Sequence, residues 1–363
     1  MRICFVGPAG SAHMKKWCAW FASRGHELHV ISFTPGEIPG AAVHLADLGV
    51  DPEGSDLGKL KYLTAGGRIR RMIREIRPDA VSVHYATSYG IAMALSGVKG
   101  YALSVWGSDI YDFPRRSALH RTLLQVSLRK AGTLLSTSRA MAEEAAKYTG
   151  RNFAITPFGV DTEAFSPARR TRGQDGVFLV GTVKSLTALY GIDDLLRAFA
   201  MARKERPEAG FRLKICGDGP QESEYRALAE AEGIAGATEF TGRIAPEACP
   251  EVWANLDLAV IPSAAYESFG VAAVEAQACS TPVIVSDAAG LMESTVPGVS
   301  SLAVPRRNPR ALAEVILELQ ADPERRAAMG RAGRENVLEK YELNRCFTEI
   351  ERLLTEAGKG EAE

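Results

Sequence analysis

Glu267 and Glu275 stand with seven residues between them in the segment PSAAYESFGVAAVEAQACSTPVIVS. Glu267 follows the apolar run DLAVIP, and Gly270 opens a stretch with helical character that carries Glu275. A strand, a loop and a helix start in that order make a site for phosphate. The first turn of a helix presents backbone N–H groups without intrahelical partners and the positive end of the dipole. Ser268, Phe269 and Gly270 would supply those donors to a diphosphate. Glu275, about a turn further in, is placed to accept hydrogen bonds from ribose hydroxyls. Either acid alone is also ordinary first-turn chemistry that needs no ligand.

A diphosphate held at that helix start would call for positive charge nearby. Lys184, in GTVKSLTALYGIDDLLRAF, ends a strand-like run and is the candidate cation, although strand-end lysines are often only solvated. Asp193 and Asp194 sit at the following helix start and read as acids of a capping turn. The turn Gly217-Asp218-Gly219-Pro220 either borders the same site or is a tight turn of a kind found anywhere. Near the amino terminus, GPAGSAHMKKW joins a strand to a helix, and Gly7 and Gly10 would let backbone approach a ligand. Its spacing is not that of a dinucleotide fingerprint, which argues against an NAD-dependent dehydrogenase. His13 points into a cleft or caps a surface turn, and His84 ends another strand at a cleft or in the core.

The elements that must position these residues are short Val-, Ile- and Leu-rich runs alternating with helical patterns. RICFVG, ELHVIS, AVSVHY, YALSVW and GTLLST come first, then VFLVGT, RLKICG, DLAVIP and TPVIVS. Such alternation predicts an α/β fold with parallel sheets covered by helices on both faces. The series restarts near residue 177 after a stretch punctuated by Pro157, Pro167, Gly173 and Gly176. Two Rossmann-like domains are expected, at 1–165 and 166–340, with a helix over 341–363 that packs back on the first. The tail from Pro309 is helical, opened by Asn308 and Pro309.

With 363 residues, 46% of them hydrophobic, the chain has material for two cores. Its net charge of -1 hides an asymmetry: residues 1–163 carry 20 Lys and Arg against 14 Asp and Glu, and the rest 23 against 30. That surplus is too small to imply nucleic acid. The six cysteines show no metal-ligand spacing and read as buried apolar residues. No signal peptide or spanning helix is read, which predicts a cytoplasmic protein. Residues 59–77 hold Lys59, Lys61, Arg68, Arg70, Arg71, Arg74 and Arg77 among apolar residues. They form either a solvated helix face or a basic amphipathic helix that meets anionic lipid at the inner face of a membrane.

The Glu-seven-Glu spacing, together with SRGHELHVIS, ITPFGVDTEAFSP, CGDGPQESEYRALA and FTGRIAPEACPEVWANLDLAVIPS in that order, resembles the family 4 retaining glycosyltransferases. That family has the GT-B fold, two Rossmann-like domains facing across a cleft. The resemblance implies that a sugar moves from a UDP- or GDP-type nucleotide diphosphate to an acceptor hydroxyl with its anomeric configuration kept. The acceptor would be a glycan, a lipid-linked sugar or a small molecule; no nucleic acid, cofactor or metal is implied. Glu267 would face the transferred sugar and Glu275 the ribose. Lys184 would face the diphosphate, Gly217 would border the nucleotide, and Arg243 and Ile244 would lie near the base. On the acceptor side, with His13 and His84, Asp109 keeps the family's strand-end acid and would serve catalysis by hydrogen-bonding a sugar hydroxyl of donor or acceptor. Trp106 stands there where a His is common, either stacking on a sugar or filling the core. Leu189 stands where a second cation is expected, with Arg243 as a substitute source of charge. The alternatives are a nucleotide-sugar 2-epimerase and a non-catalytic nucleotide-sugar-binding subunit.

Overall fold

Thirteen short strands collect into two sheets in the computed structural model, which describes residues 1–49, 62, 64–173 and 176–359. The first sheet contains β1 (Arg2–Val6), β2 (Glu27–Ser32), β3 (Ala41–Leu45), β4 (Ala80–His84), β5 (Ala102–Val105), β6 (Thr133–Ser136) and β7 (Ala154–Ile155), in the order β3-β2-β1-β4-β5-β6-β7. The second contains β8 (Phe178–Val183), β9 (Phe211–Cys216), β10 (Thr238–Gly242), β11 (Leu258–Ile261), β12 (Val283–Ser286) and β13 (Ser301–Val304), in the order β10-β9-β8-β11-β12-β13. Paired strands run parallel in both sheets. Both have the doubly wound Rossmann order, in which chain direction across the sheet reverses once, between β1 and β4 and again between β8 and β11. Loops diverge at that reversal, leaving a crevice at the strands' carboxyl ends.

The nine apolar runs read from the sequence are β1, β2, β4, β5, β6, β8, β9, β11 and β12. The four strands not foreseen are β3, β7, β10 and β13, which form the edges of the two sheets. The reason is burial. Central strands such as β5, β11 and β12 are buried at every residue, whereas β3, β7 and β10 have no buried position. A strand covered on one side needs no continuous apolar run.

The chain divides into two compact units, one made of Met1–Phe158 with the segment from Cys346 onward, the other of Gly159–Arg345. The first division falls seven residues ahead of the expected 165/166. Phe158 stacks on His13 at 4.1 Å, and after Gly159, in the left-handed region at φ 63°, Val160 pairs through its backbone with Tyr341 and Leu343. The second division lies inside the helix Leu343–Lys359, so the return to the first unit begins at Cys346 rather than 341. There Phe347 packs on Trp17 and Trp20, and Glu351 pairs with His26 at 2.6 Å and Arg24 at 3.0 Å. The tail helix Pro309–Ala321 starts as its sequence suggests: the Asn308 side chain accepts from the Ala311 N–H at 3.0 Å.

Of the basic stretch, Lys59, Leu60, Lys61 and Leu63 lie outside the described residues. The helix Gly66–Ile76 buries Ile69, Ile73 and Ile76 in its own unit and leaves Arg68, Arg70, Arg71 and Arg74 exposed. Its apolar face is therefore committed inward and is not free to enter a bilayer. Among the described residues, no helix is long and apolar enough to cross a membrane.

Candidate active site

The reversal point of the second sheet brings the two strongest sequence candidates together. Lys184 follows β8, and Glu267 lies in the loop after the neighbouring strand β11. The Lys184 Nζ donates to Glu267 Oε2 at 2.7 Å, with side chains only 11% and 10% exposed. The Ser263 hydroxyl donates to the same oxygen at 3.0 Å, and Lys184 Nζ lies 4.2 Å from the centre of the Tyr190 ring. Burial opposes the lysine's charge, but the nearby Glu267, Tyr190 and Glu275 outweigh it and raise its pKa above the ordinary value. Lys184 is therefore a cation at neutral pH in a shielded place, where a charge acts strongly on a neighbour.

Glycines bring the loops around this pair close together. A Cβ on Gly217, at φ 143°, would sit 1.9 Å from the Lys184 carbonyl oxygen, and one on Gly219 2.4 Å from that of Leu186. The GDGP turn thus packs directly against the loop carrying Lys184, which ties it to this site. Gly270, at φ 91°, precedes the helix Val271–Ala278 and leaves no room for a Cβ beside Leu291 and Ser294. Phe269 is buried and meets Tyr341 edge-on at 5.3 Å, while Ser268 is half-buried. One helical turn on, Glu275 accepts from the buried Trp253 indole N–H at 3.2 Å. Arg243 is exposed and pairs with Asp218 at 3.2 Å, beside the GDGP turn, with Ile244 half-buried next to it. Leu189 is half-buried, and its carbonyl accepts from the N–H groups of Ala264 and Ala265.

In the first unit, the loop after β1 adjoins the end of β4. A Cβ on Gly7 would meet Met14 at 2.6 Å and His84 at 3.2 Å, whereas one on Gly10 would meet nothing within 4 Å. His13 is half-buried between Phe158 and Trp106, and burial together with Lys16 lowers its pKa to about 4. Three residues expected on the acceptor side lie below the surface. His84 is fully buried against Phe5, Trp17 and Trp106, and burial pulls its pKa down to about 3. Trp106 is 6% exposed and donates its indole N–H to Ser104 Oγ, so it fills the core. Asp109, expected as a catalytic acid, is 1% exposed. Its carboxylate accepts from the backbone N–H groups of Ala86, Trp106 and Gly107 at 2.7–3.3 Å, pinning two strand-end loops.

Residues 168–336 match the family profile described as glycosyl transferases group 1, and residues 2–138 that described as glycosyl transferase 4-like. The chain is 30% identical over 295 residues to the D-inositol 3-phosphate glycosyltransferase of Pseudarthrobacter chlorophenolicus, covering 73% of this chain and 68% of that one. The chain belongs to the group 1 glycosyltransferases. It is also 31% identical to a GDP-mannose-dependent monoacylated alpha-(1-6)-phosphatidylinositol monomannoside mannosyltransferase of Corynebacterium glutamicum, over 69% of this chain and 70% of the relative. The fold is that of Anabaena HepE, solved with UDP and glucose, at a TM-score of 0.79 and 20% identity over 98% of this chain and 100% of the other. The fold class is accordingly GT-B, and the chain is an enzyme of the hexosyltransferase kind rather than a non-catalytic subunit.

Three features of this glycosyltransferase, two in the second unit and one in the first, had no signal read from the sequence. Gly290 lies in the helix Ala289–Ser294, and a Cβ there would sit 2.2 Å from the Glu267 carbonyl oxygen. Trp253 holds Glu275 from the buried side of the VWANLDL segment. Tyr85, at the end of β4, adopts φ 71°, and its ring meets Trp106 at 4.9 Å. A glycine in ordinary helical geometry and a tryptophan at an apolar position look like any others until their neighbours are known.

Proposed function

We propose that this glycosyltransferase moves a hexosyl group from a UDP- or GDP-sugar to an acceptor hydroxyl with retention of anomeric configuration and without a divalent ion. The observation that carries the reading is the shielded Lys184–Glu267 pair at the reversal point of the second sheet. Lys184 stabilises the departing diphosphate, and the backbone at Ser268, Phe269 and Gly270 joins it at the helix start. Glu267 faces the sugar, where positive charge develops at the anomeric carbon. Glu275, steadied by Trp253, binds the ribose. As the bond from the anomeric carbon to the diphosphate oxygen breaks, the acceptor oxygen bonds from the same face. Its proton passes to a phosphate oxygen, and nucleoside diphosphate leaves. No side chain is required as a nucleophile, so the protein contributes orientation and charge.

The relatives support both nucleotide types, since one is named for GDP-mannose and the HepE structure holds UDP. Contact with an anionic membrane, if the acceptor is lipid-borne, would run through Arg68, Arg70, Arg71 and Arg74 by charge alone. The test incubates the full chain with UDP- and GDP-sugars and an acceptor panel in EDTA, following products by mass spectrometry and proton NMR. Acceptor-dependent product is expected. Conversion of the donor sugar to its C2 epimer without acceptor would favour the 2-epimerase instead.

A further inference from the structure

The loops that carry Lys184 and Glu267 are joined by two consecutive arginines just beyond β13. Arg306 donates to the Ala265 carbonyl at 2.6 Å, two residues before Glu267, and to Asp287 at 2.8 Å. Arg307 donates to both oxygens of Asp193 at 3.1 and 3.0 Å and to the Ala188 carbonyl at 3.1 Å, and lies 3.6 Å from Asp194. Ala188 begins the short turn that ends at Tyr190, the ring lying over Lys184. Between the two loops, the Leu189 carbonyl accepts from Ala264 and Ala265. The contacts close into a ring: from Arg307 to Ala188, along the chain to Leu189, across to Ala265, and back to Arg306.

Two further observations separate this ring from ordinary surface pairing. Arg307 is held at φ 57°, a conformation that a residue with a side chain rarely keeps unless its surroundings demand it. Both guanidinium groups also spend a donor on a backbone carbonyl in one of the two loops, not only on carboxylates. The arginine side chains are 43% and 49% exposed, so their ion pairs add little to folding stability. What the ring does fix is the separation of the two loops.

We propose that Arg306 and Arg307 are positioning residues that hold the Lys184 and Glu267 loops in register for the donor. The inference rests on the function proposed above, with the diphosphate and sugar bound at that pair. A ring constrains the loops only while closed, so opening it at either arginine has most of the effect of opening it at both.

The test compares the full chain with Arg306→Ala, Arg307→Gly, the double variant and Lys184→Ala. Glycine is chosen at 307 because it accepts the left-handed backbone. Donor KM, kcat and nucleoside diphosphate affinity are measured alongside the melting temperature. Each single arginine variant is expected to lose about tenfold or more in kcat/KM, since sub-ångström misplacement of reacting groups is costly, with melting shifted by no more than a few degrees. The double variant should lose less than about threefold beyond the worse single, the signature of coupled sites. Arginine variants within about threefold of the parent, beside a strongly impaired Lys184→Ala, would overturn the positioning role and leave the donor site standing; so would a double loss equal to the product of the singles. If Lys184→Ala is also unimpaired, the donor-site reading fails and the positioning role fails with it.

Discussion

A methyl group added at Gly290 tests how closely the Glu267 loop is held. The Cβ of Gly290→Ala would lie 2.2 Å from the Glu267 carbonyl oxygen and 2.8 Å from both the Phe269 nitrogen and the Ser268 carbonyl carbon. All three are backbone atoms, so no side chain can turn aside. To reach the 3.0 Å below which real Cβ contacts essentially do not occur, that carbonyl or the Ala289–Ser294 helix must retreat by about 0.8 Å. Misplacement by about 1 Å can cost on the order of a hundredfold in rate, so a loss between about tenfold and a hundredfold in kcat/KM is expected, or about 1.4–2.7 kcal/mol at the transition state. Overpacking should cost a further ~1–3 kcal/mol of stability. Gly236→Ala is the control, because its Cβ would meet nothing within 4 Å. The assay is steady-state transfer with donor varied, paired with titration of nucleoside diphosphate and circular dichroism on both variants. A folded Gly290→Ala enzyme with kcat/KM within about twofold of the parent would refute the reasoning, because 0.8 Å at Glu267 would then be immaterial to the chemistry.

Other substitutions and conditions separate the remaining roles. Glu275→Ala should weaken free nucleoside diphosphate by about 1.5–3 kcal/mol, as for a charged hydrogen bond, whereas Glu267→Ala should leave that affinity nearly intact and depress turnover; equal effects in calorimetric titration would sink the division of labour. Leu189→Lys should preserve or raise donor affinity, since the half-buried side chain is not in the core, and a tenfold loss in a folded variant would show that it packs there after all. Stability should fall on acidification. Folding holds His84 neutral, its pKa lowered from 6.5 to about 3, so its contribution is complete above about 6.5 and is lost as pH falls towards 3, at about 1.4 kcal/mol per unit. Urea midpoints measured between pH 7.5 and 5 should therefore decline less in His84→Leu, and parallel declines would contradict the assignment.

Much of this architecture was legible because central strands of a parallel sheet must be apolar on both faces, which a sequence records as unbroken runs. Edge strands carry no such obligation, and β3, β7, β10 and β13 were missed for that reason. At the site, Lys184, Glu267, Glu275 and Gly270 stood out because charge and glycine at strand ends and helix starts are chemically conspicuous. Gly290, Trp253 and the pair Arg306–Arg307 act through contacts 19 to 119 residues away in sequence. Spacing within a segment cannot report those. Asp109 shows the converse: an acid in the right motif position whose carboxylate serves backbone N–H groups, a use that only burial and hydrogen-bond partners distinguish from sugar binding.

The most direct measurement of the central claim follows the anomeric configuration of the product by proton NMR, using an α-linked UDP- or GDP-sugar and a hydroxyl acceptor in EDTA, with the parent enzyme and with Lys184→Ala. The account predicts an α-linked product from the parent enzyme without added metal, nucleoside diphosphate released in equal amount, and a rate lower by about tenfold or more in the variant. A β-linked product, turnover that appears only on addition of manganese or magnesium, or a Lys184→Ala enzyme as fast as its parent would contradict it.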